Sequence, residues 1–113
     1  MAMTLDLSVL NTLANHDAAK LRKYSLLFIA SLEEVLAQVD DGMARVDCTL
    51  LGAMGHRAKS TAMNIGATGF STQCLLMEQA ATAHDTAAAM ALAHTLRPLF
   101  LPIRAALLQH LEA

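Results

Sequence analysis

The residues of this sequence that could carry out chemistry lie close together, between Leu51 and Ser60. This segment contains His56, followed three residues later by Lys59. A neutral imidazole is a good nucleophile near pH 7, because its unperturbed pKa is about 6.5. A phosphoimidazole is energy-rich and acid-labile, and a lysine ammonium group attracts phosphate oxygens. His56 and Lys59 therefore predict a site that receives and releases a phosphoryl group.

Three of the four residues that share a helix face with His56 are small, and the fourth is a lysine. On a helix, the residues that share its face are three and four positions away, and here they are Gly52, Ala53, Lys59 and Ser60. We therefore expect the imidazole to stand clear of its neighbours. Two glycines in a helix interior, Gly52 and Gly55, each cost about 1 kcal/mol relative to alanine. They could leave room for a partner protein or permit close helix packing, and His56 itself could be an ordinary surface or core histidine.

The composition of the whole chain favours helices. The 113 residues include 22 Ala and 20 Leu, but only four Val, three Ile, five Gly, two Pro and no Trp. Residues that favour strands and tight turns are therefore scarce. With 55% hydrophobic and 16% charged residues, the chain is typical of a globular protein. We predict an all-α fold and a single domain that covers residues 1–113.

Capping and turn residues divide the chain into five helical segments. Asp6 and Asp17 are predicted to cap the first two helices, the acidic turn Asp40-Asp41-Gly42 to end the second, and Gly66 to end the third. Pro98 and Pro102 lie inside the last segment, where a proline removes a hydrogen bond and clashes one turn back. We interpret this segment as one kinked helix, with two shorter helices as the alternative. The predicted helices cover residues 7–14, 18–39, 44–65, 68–81 and 84–111.

Apolar residues recur every three or four positions along these segments, which indicates one buried face per helix. The predicted architecture is an antiparallel four-helix bundle with a short additional N-terminal helix. The predicted core positions are Leu7, Leu10, Leu13, Leu21, Tyr24, Phe28, Leu32, Val35, Leu36, Val46, Leu50, Met54 or Ala53, Ala58, Thr61, Ile65, Phe70, Cys74, Leu75 and Met77.

Charge and hydropathy exclude several other classes of protein. The net charge is −2, and the basic residues are scattered apart from Lys20, Arg22 and Lys23, so no nucleic-acid-binding face is predicted. No apolar run reaches the roughly 18 to 20 residues of a membrane span, and the start from Met1 to Asp6 lacks the features of a signal peptide. We expect a cytoplasmic protein in which Cys48 and Cys74 are buried thiols.

The other histidines do not predict a metal site. They are spaced too far apart to converge at helical spacing, and we interpret them as surface or cap residues: His16, His84, His94 and His110. No glycine-rich phosphate loop follows a strand, so nucleotide binding is not predicted and the phosphoryl group must come from another protein. A cofactor-binding helical bundle has little support, because no convergent set of ligands is present.

The residues from His56 onward resemble the signature of histidine-containing phosphotransfer (HPt) domains. Those domains carry a histidine, a lysine one turn later, usually a glycine after that lysine, an asparagine-aliphatic-glycine-alanine step, and then a cysteine and a leucine-glutamate region. Chain length and helix order agree as well, so the resemblance covers nearly the whole chain. The matching segments are His56-Arg57-Ala58-Lys59, Asn64-Ile65-Gly66-Ala67 and Cys74-Leu75-Leu76-Met77-Glu78.

The resemblance implies a role for each matching residue. His56 would be the phosphoacceptor, through the ring nitrogen that faces solvent, and Lys59 would help hold the phosphoryl group. Gly66 would let the third helix end and the fourth pack back along it. Glu78 occupies a position where the family often has Gln or Glu facing the histidine. It would orient the imidazole, or else be an ordinary exposed glutamate.

Ser60 departs from the family pattern, which usually has glycine directly after the lysine. Serine is small enough to keep space beside the imidazole, and its hydroxyl group could bond a phosphate oxygen. The substitution could equally mark slower transfer or a different choice of partner.

The resemblance implies a phosphocarrier in a multistep His-Asp phosphorelay, the chemistry of two-component signal transduction. The chain would take a phosphoryl group from a phospho-aspartate of one response-regulator receiver domain, downstream of a hybrid sensor histidine kinase, and pass it to another receiver. Mg²⁺ is expected in the receiver only, with no cofactor on this chain and no kinase or ATPase activity of its own. We expect a monomer. The alternative is a module that binds a receiver or another helical partner without transferring phosphate.

The ends of the chain bear on whether it stands alone. It begins with Met1 and ends directly after its last predicted helix. We expect a free-standing protein rather than a segment of a longer kinase.

Overall fold

The described residues form five helices and no strand. The computed structural model describes residues 5–112, so residues 1–4 and Ala113 lie outside it. The N-terminal start for which no signal peptide is predicted therefore lies mostly outside the described residues. The all-α prediction is confirmed. The helices are α1 (Ser8–Leu13), α2 (Ala18–Ala44), α3 (Cys48–Asn64), α4 (Thr68–Thr82) and α5 (Thr86–Glu112).

The four long helices pack side by side as the predicted bundle. Connections of three residues join α2 to α3, α3 to α4 and α4 to α5, and such short connections make consecutive helices antiparallel. The core between them is apolar and includes Leu32 and Leu36 of α2, together with Phe70 of α4 and Phe100 of α5, whose rings lie 6.1 Å apart. The short α1 closes one end of the core with Leu10, which is fully buried.

Predicted capping residues act at the starts of α1 and α2 and at the end of α3. The carboxylate of Asp17 accepts from the backbone N–H of Lys20 at 3.0 Å, and that of Asp6 accepts from Ser8 at 2.9 Å. Gly66 follows α3 with a φ of +70°, and a Cβ atom there would lie 1.7 Å from the carbonyl oxygen of Asp6. Glycine is therefore required at position 66, because it both reverses the chain and lets the N-terminal segment pass.

The predicted end of α2 is wrong, because Asp40-Asp41-Gly42 continues the helix to Ala44. Gly42 is buried against Leu51, and a Cβ atom there would come within 2.9 Å of the leucine side chain. Packing on α3 thus overrides the helix-breaking tendency of glycine. The chain turns later, at Val46, whose φ is +49°, and Asp47 then caps α3 by accepting from Leu50 at 3.0 Å.

The predicted core face of α3 is only partly right. Ala58 and Ile65 are buried, but Val46 lies in the turn before the helix and is 59% exposed. The buried stripe instead runs through Leu51, Gly52, Gly55, Ala58 and Ala62, because α4 packs against the side of α3 that carries its small residues. Beyond α3, two further predicted core positions, Leu13 and Leu75, are not buried but 49% and 39% exposed.

The last helix is continuous through both prolines, so the alternative of two shorter helices is wrong. Pro98 and Pro102 are exposed on the outer side of α5. The carbonyl groups of His94 and Pro98, which lack an N–H partner four residues later, are therefore on the side that water can reach. On the inner side, Leu96, Phe100 and Ile103 are buried and keep α5 on the core.

The two cysteines are free thiols in different environments. Cys74 is fully buried in α4, and burial raises the pKa of its thiol to about 12. Cys48 begins α3 and is only half-buried, so the prediction of a buried thiol is right for Cys74 alone.

Candidate functional site

His56 lies near the middle of α3 on a stripe of exposed residues. The stripe consists of Thr49, Ala53, His56, Ser60 and Met63, all exposed and spaced by three and four residues along the helix. The side chain of His56 is 70% exposed. The imidazole is thus accessible from solvent, with small neighbours on both sides along its own helix.

The two glycines of this segment serve helix packing. Gly52 and Gly55 are both buried where α3 meets α4. A Cβ atom on Gly52 would lie 2.5 Å from Cβ of Ala81, and one on Gly55 would lie 2.5 Å from the carbonyl oxygen of Cys74. Of the two explanations that the sequence left open, close packing is the observed one. Gly52 also lines the open groove beside His56.

Close packing of α4 brings Glu78 to His56. The Nδ1 atom of His56 lies 2.5 Å from Oε2 of Glu78, and the ammonium group of Lys59 donates to the other oxygen, Oε1, also at 2.5 Å. One carboxylate on α4 therefore joins the two residues of α3. Glu78 is not an ordinary exposed glutamate, since its side chain is only 22% exposed.

The charge of Glu78 is stabilised by these neighbours. The hydrogen bond from Lys59 is the main reason why the pKa of Glu78 lies below its ordinary value of 4.5, and the contact with His56 acts in the same direction against the opposing effect of burial. At neutral pH the side chain is therefore a carboxylate, which can only accept hydrogen bonds.

The contact with Glu78 sets the tautomer of His56. Because a carboxylate accepts and cannot donate, Nδ1 must carry the proton. In the neutral ring, the lone pair then resides on Nε2. The arrangement can present Nε2 as a nucleophile toward solvent, with the Lys59 ammonium group one helical turn away on the same carboxylate.

A buried serine fixes the same region from α4. Ser71 is 7% exposed, and its hydroxyl group donates to the carbonyl oxygen of Lys59 at 2.8 Å. This bond ties the backbone at Lys59 to the first turn of α4. Ser71 could not be predicted from the sequence, because its partner is twelve residues away and no local pattern marks the contact.

Two open grooves flank the site. One, of about 510 Å³, is lined by Lys59 and Ser60 together with Met63 and Leu75. The other, of about 430 Å³, is lined by His56 and Glu78 together with Gly52 and His84. Ser60 thus lies beside Lys59 on the exposed face. The sequence predicts that His84 lies far from His56. The two histidines nevertheless line the same groove, because the turn after α4 returns the chain to the start of α3.

The remaining predicted site residue is not at the imidazole. Gly66 lies in the turn after α3, where its expected role places it, and its carbonyl oxygen accepts from the backbone N–H of Asp6. Within residues 5–112, no group of three or more His, Cys, Asp or Glu side chains is placed to hold a metal ion. In the same range, no helix combines the length and the apolar character needed to cross a membrane.

Comparison with known proteins gives one clear structural likeness. No protein-family model matches the sequence, and no curated protein matches it. Among solved structures, the crystal structure of histidine-containing phosphotransfer protein B (HptB) from Pseudomonas aeruginosa PAO1 matches with a TM-score of 0.88. The alignment covers 99% of this chain and 97% of that chain at 23% sequence identity.

This chain has the fold of a histidine-containing phosphotransfer protein. The likeness extends over the whole bundle, including the short α1 and the long α5, since nearly all of both chains is aligned. The resemblance to HPt domains, which rested on short motifs, is thereby confirmed at the level of the fold.

Proposed function

We propose that this protein is a histidine phosphocarrier of the HPt type, with His56 as the phosphoacceptor. The observation that carries the proposal is the exposed imidazole whose Nδ1 is bound to the Glu78 carboxylate, which leaves the Nε2 lone pair for nucleophilic attack. The fold likeness to a histidine-containing phosphotransfer protein supports the same function. The proposed partners of this phosphocarrier are response-regulator receiver domains and a hybrid sensor histidine kinase.

The chemical step follows from the tautomer. Nε2 attacks the phosphorus of a receiver phospho-aspartate, an N–P bond forms, the P–O bond breaks, and the aspartate leaves as a carboxylate. Nδ1 keeps its proton, so the phosphorylated ring carries a positive charge that Glu78 stabilises. Lys59 attracts the phosphoryl oxygens. The reverse sequence at a second receiver releases the group, and the Mg²⁺ that assists the reaction would belong to the receiver.

The exposed stripe of α3 is the proposed docking surface. Met63 lies two turns from His56 on the same face and is 50% exposed, and Leu75 on the rim of the neighbouring groove is 39% exposed. Apolar side chains beside an accessible imidazole suit contact with a protein surface. Ser60, between His56 and Met63, is positioned to meet the phosphoryl group or the partner.

The proposed phosphocarrier has no kinase activity of its own. Transfer chemistry of this kind needs only a nucleophile and positioning, so we propose that the protein neither binds ATP nor phosphorylates itself. We further propose that it acts in the cytoplasm and that it is a monomer. Sedimentation of the purified chain would test the monomeric state against its mass of 12.0 kDa.

The test is phosphotransfer from ³²P-labelled receiver domains to the full chain and to His56→Gln. We expect the wild-type protein to take up label that is acid-labile and alkali-stable, and His56→Gln to take up none while keeping its helical circular dichroism. His94→Gln, an exposed histidine on α5, is the matched control and should label normally. Labelling of His56→Gln would contradict the assignment. A wild-type chain that binds receivers but never takes up label would instead be a non-transferring interaction module.

A further inference from the structure

Glu78 binds two partners at once in the unphosphorylated protein. Its Oε1 accepts from Lys59 and its Oε2 contacts Nδ1 of His56, each at 2.5 Å. The side chains of Glu78 and Lys59 are 22% and 31% exposed, so water competes only partly for their charges. The ammonium group that is expected to attract a phosphoryl group is therefore already paired with a carboxylate.

Phosphorylation of His56 changes the charges on both sides of Glu78. The phosphorylated ring is cationic while Nδ1 keeps its proton, and the phosphoryl group on Nε2 brings up to two negative charges. Lys59 is one helical turn from His56, close enough for its flexible side chain to reach either acceptor. A phosphoryl group offers more charge and more acceptor oxygens than a carboxylate that is also engaged by the ring.

We propose that Glu78 is a positioning residue that holds Lys59 until the phosphoryl group arrives and then releases it. In the unphosphorylated protein Glu78 pairs with both Lys59 and His56. In the phosphorylated protein Lys59 moves to the phosphoryl oxygens, and Glu78 keeps only the cationic ring. This inference rests on the proposed function of His56 and adds a change of partner at Lys59.

The carboxylate at position 78 has a role that an amide could not fill. A glutamine there could also accept from Nδ1 through its amide oxygen, so orientation of the ring does not require a charge. Only a carboxylate forms an ion pair with the ammonium group of Lys59. Glu78→Gln therefore separates the two roles, because it keeps the size and the acceptor but removes the charge that holds Lys59.

Nitrogen NMR of the lysine ammonium groups in the full chain tests the change of partner directly. The protein is phosphorylated chemically with phosphoramidate, whose P–N bond breaks and releases ammonia as Nε2 of His56 takes the phosphoryl group. We expect a protected Lys59 signal in the wild-type protein, its loss in unphosphorylated Glu78→Gln, and a shift when wild-type His56 is phosphorylated. Asp40→Asn, which breaks an ion pair of similar length with Arg97, is the control and should not alter the signal.

A double-mutant cycle supplies a functional readout. The fraction of phosphorylated His56 at equilibrium with a fixed receiver is measured for the wild type, Lys59→Ala, Glu78→Gln and the double variant. When Glu78 is present, Lys59 must break its ion pair before it binds the phosphoryl group, so its net stabilisation of the phosphorylated protein is smaller. In Glu78→Gln there is no ion pair to break. We therefore expect Lys59→Ala to lower the phosphorylated fraction about two- to fivefold more in the Glu78→Gln background. Equal effects in the two backgrounds would contradict the inference.

The two experiments separate this inference from the proposed function. Phosphoramidate places the phosphoryl group on His56 without any receiver, so the Lys59 signal can be followed even if relay activity is absent. An unchanged Lys59 signal, with mass spectrometry showing phosphate on His56, overturns the inference and leaves the phosphocarrier proposal intact. Absence of transfer from every receiver overturns the phosphocarrier proposal instead.

Discussion

Three side chains from two helices define the chemistry at the scale of residues. His56 contributes the nucleophile, Lys59 a cation, and Glu78 a carboxylate that contacts both at 2.5 Å. A histidine on a helix surface would exchange between two tautomers if it had no such partner. The carboxylate removes this freedom, and it also faces the positive charge that develops on the ring during attack.

Replacing Lys59 should slow phosphoryl transfer without unfolding the bundle. A hydrogen bond to a charged group contributes about 1.5 to 3 kcal/mol, so we expect Lys59→Ala to lower the transfer rate by about 10- to 100-fold. Rapid-quench transfer from a labelled receiver measures the rate, and circular dichroism checks the fold. Lys20→Ala, an exposed lysine at the start of α2, should transfer at the wild-type rate. Loss of helicity in Lys59→Ala would show that the lysine is structural.

The lowered pKa of Glu78 predicts a pH-dependent contribution to stability. A carboxyl group whose pKa is lower in the folded than in the unfolded protein stabilises the fold above the unfolded value, here 4.5, and loses this contribution as the pH falls through the folded value. We expect the wild type to exceed Glu78→Gln in free energy of unfolding at pH 7, and the gap to shrink below pH 4.5. Urea denaturation between pH 3 and pH 7 measures the gap. A gap that stays constant, or that Glu112→Gln reproduces, would contradict the prediction.

At the scale of elements, the distance between α3 and α4 decides whether the site exists. The carbonyl oxygen of Cys74 and the backbone nitrogen of Glu78 would lie 2.5 and 3.1 Å from a Cβ atom on Gly55. A larger residue at this position would push α4 away, and Glu78 would move with it. The hydrogen bond from Ser71 to the carbonyl oxygen of Lys59 fixes the same pair of helices near the next turn.

Gly52 and Ala81 offer a test of this close packing. A Cβ atom on Gly52 would lie 2.5 Å from Cβ of Ala81, and overpacking of this kind costs about 1 to 3 kcal/mol. Alanine gains about 1 kcal/mol over glycine in helix propensity, so we expect Gly52→Ala to destabilise by up to about 2 kcal/mol net. Adding Ala81→Gly removes the clashing atom and should restore most of the loss. Urea denaturation of the two single variants and the double variant measures the coupling, and simple additivity would contradict it.

The whole molecule is a rod-shaped bundle whose length comes from its two longest helices. At about 1.5 Å per residue, α2 and α5 with 27 residues each span about 40 Å, which agrees with the long dimension of 43 Å. Ion pairs from Asp40 to Arg97 and from Glu33 to Arg104 join these two helices on the exposed side. His56 lies on α3, on a shorter hairpin that this frame supports.

We expect residues 1–113 to unfold as one cooperative unit, in keeping with a single domain. The buried residues of all five helices contact one another in one apolar core, so loss of any helix exposes the rest. Urea transitions followed by circular dichroism and by the signal of Tyr24 on α2 should coincide. Two separated transitions would show that part of the chain folds independently.

Local patterns were sufficient to predict that there are five helices and to identify the Asp17 cap and the Gly66 turn. Asp17 and Gly66 act within a few residues of their own positions, so their effects depend on little beyond the local chain. The spacing of His56 and Lys59 likewise predicts one face of one helix. The end of α2 was wrong because Gly42 is held in the helix by Leu51 of the next helix, which no local pattern reveals.

Tertiary packing decided how the site is assembled. Glu78 is 22 residues from His56 along the chain, and its contact exists because two glycines allow α4 to approach α3. Periodicity shows that α3 has a buried face, but it cannot show which neighbour covers that face or how closely. Helix propensity and capping act between near neighbours in sequence, whereas the proton position on His56 and the pairing of Lys59 depend on atoms from another helix.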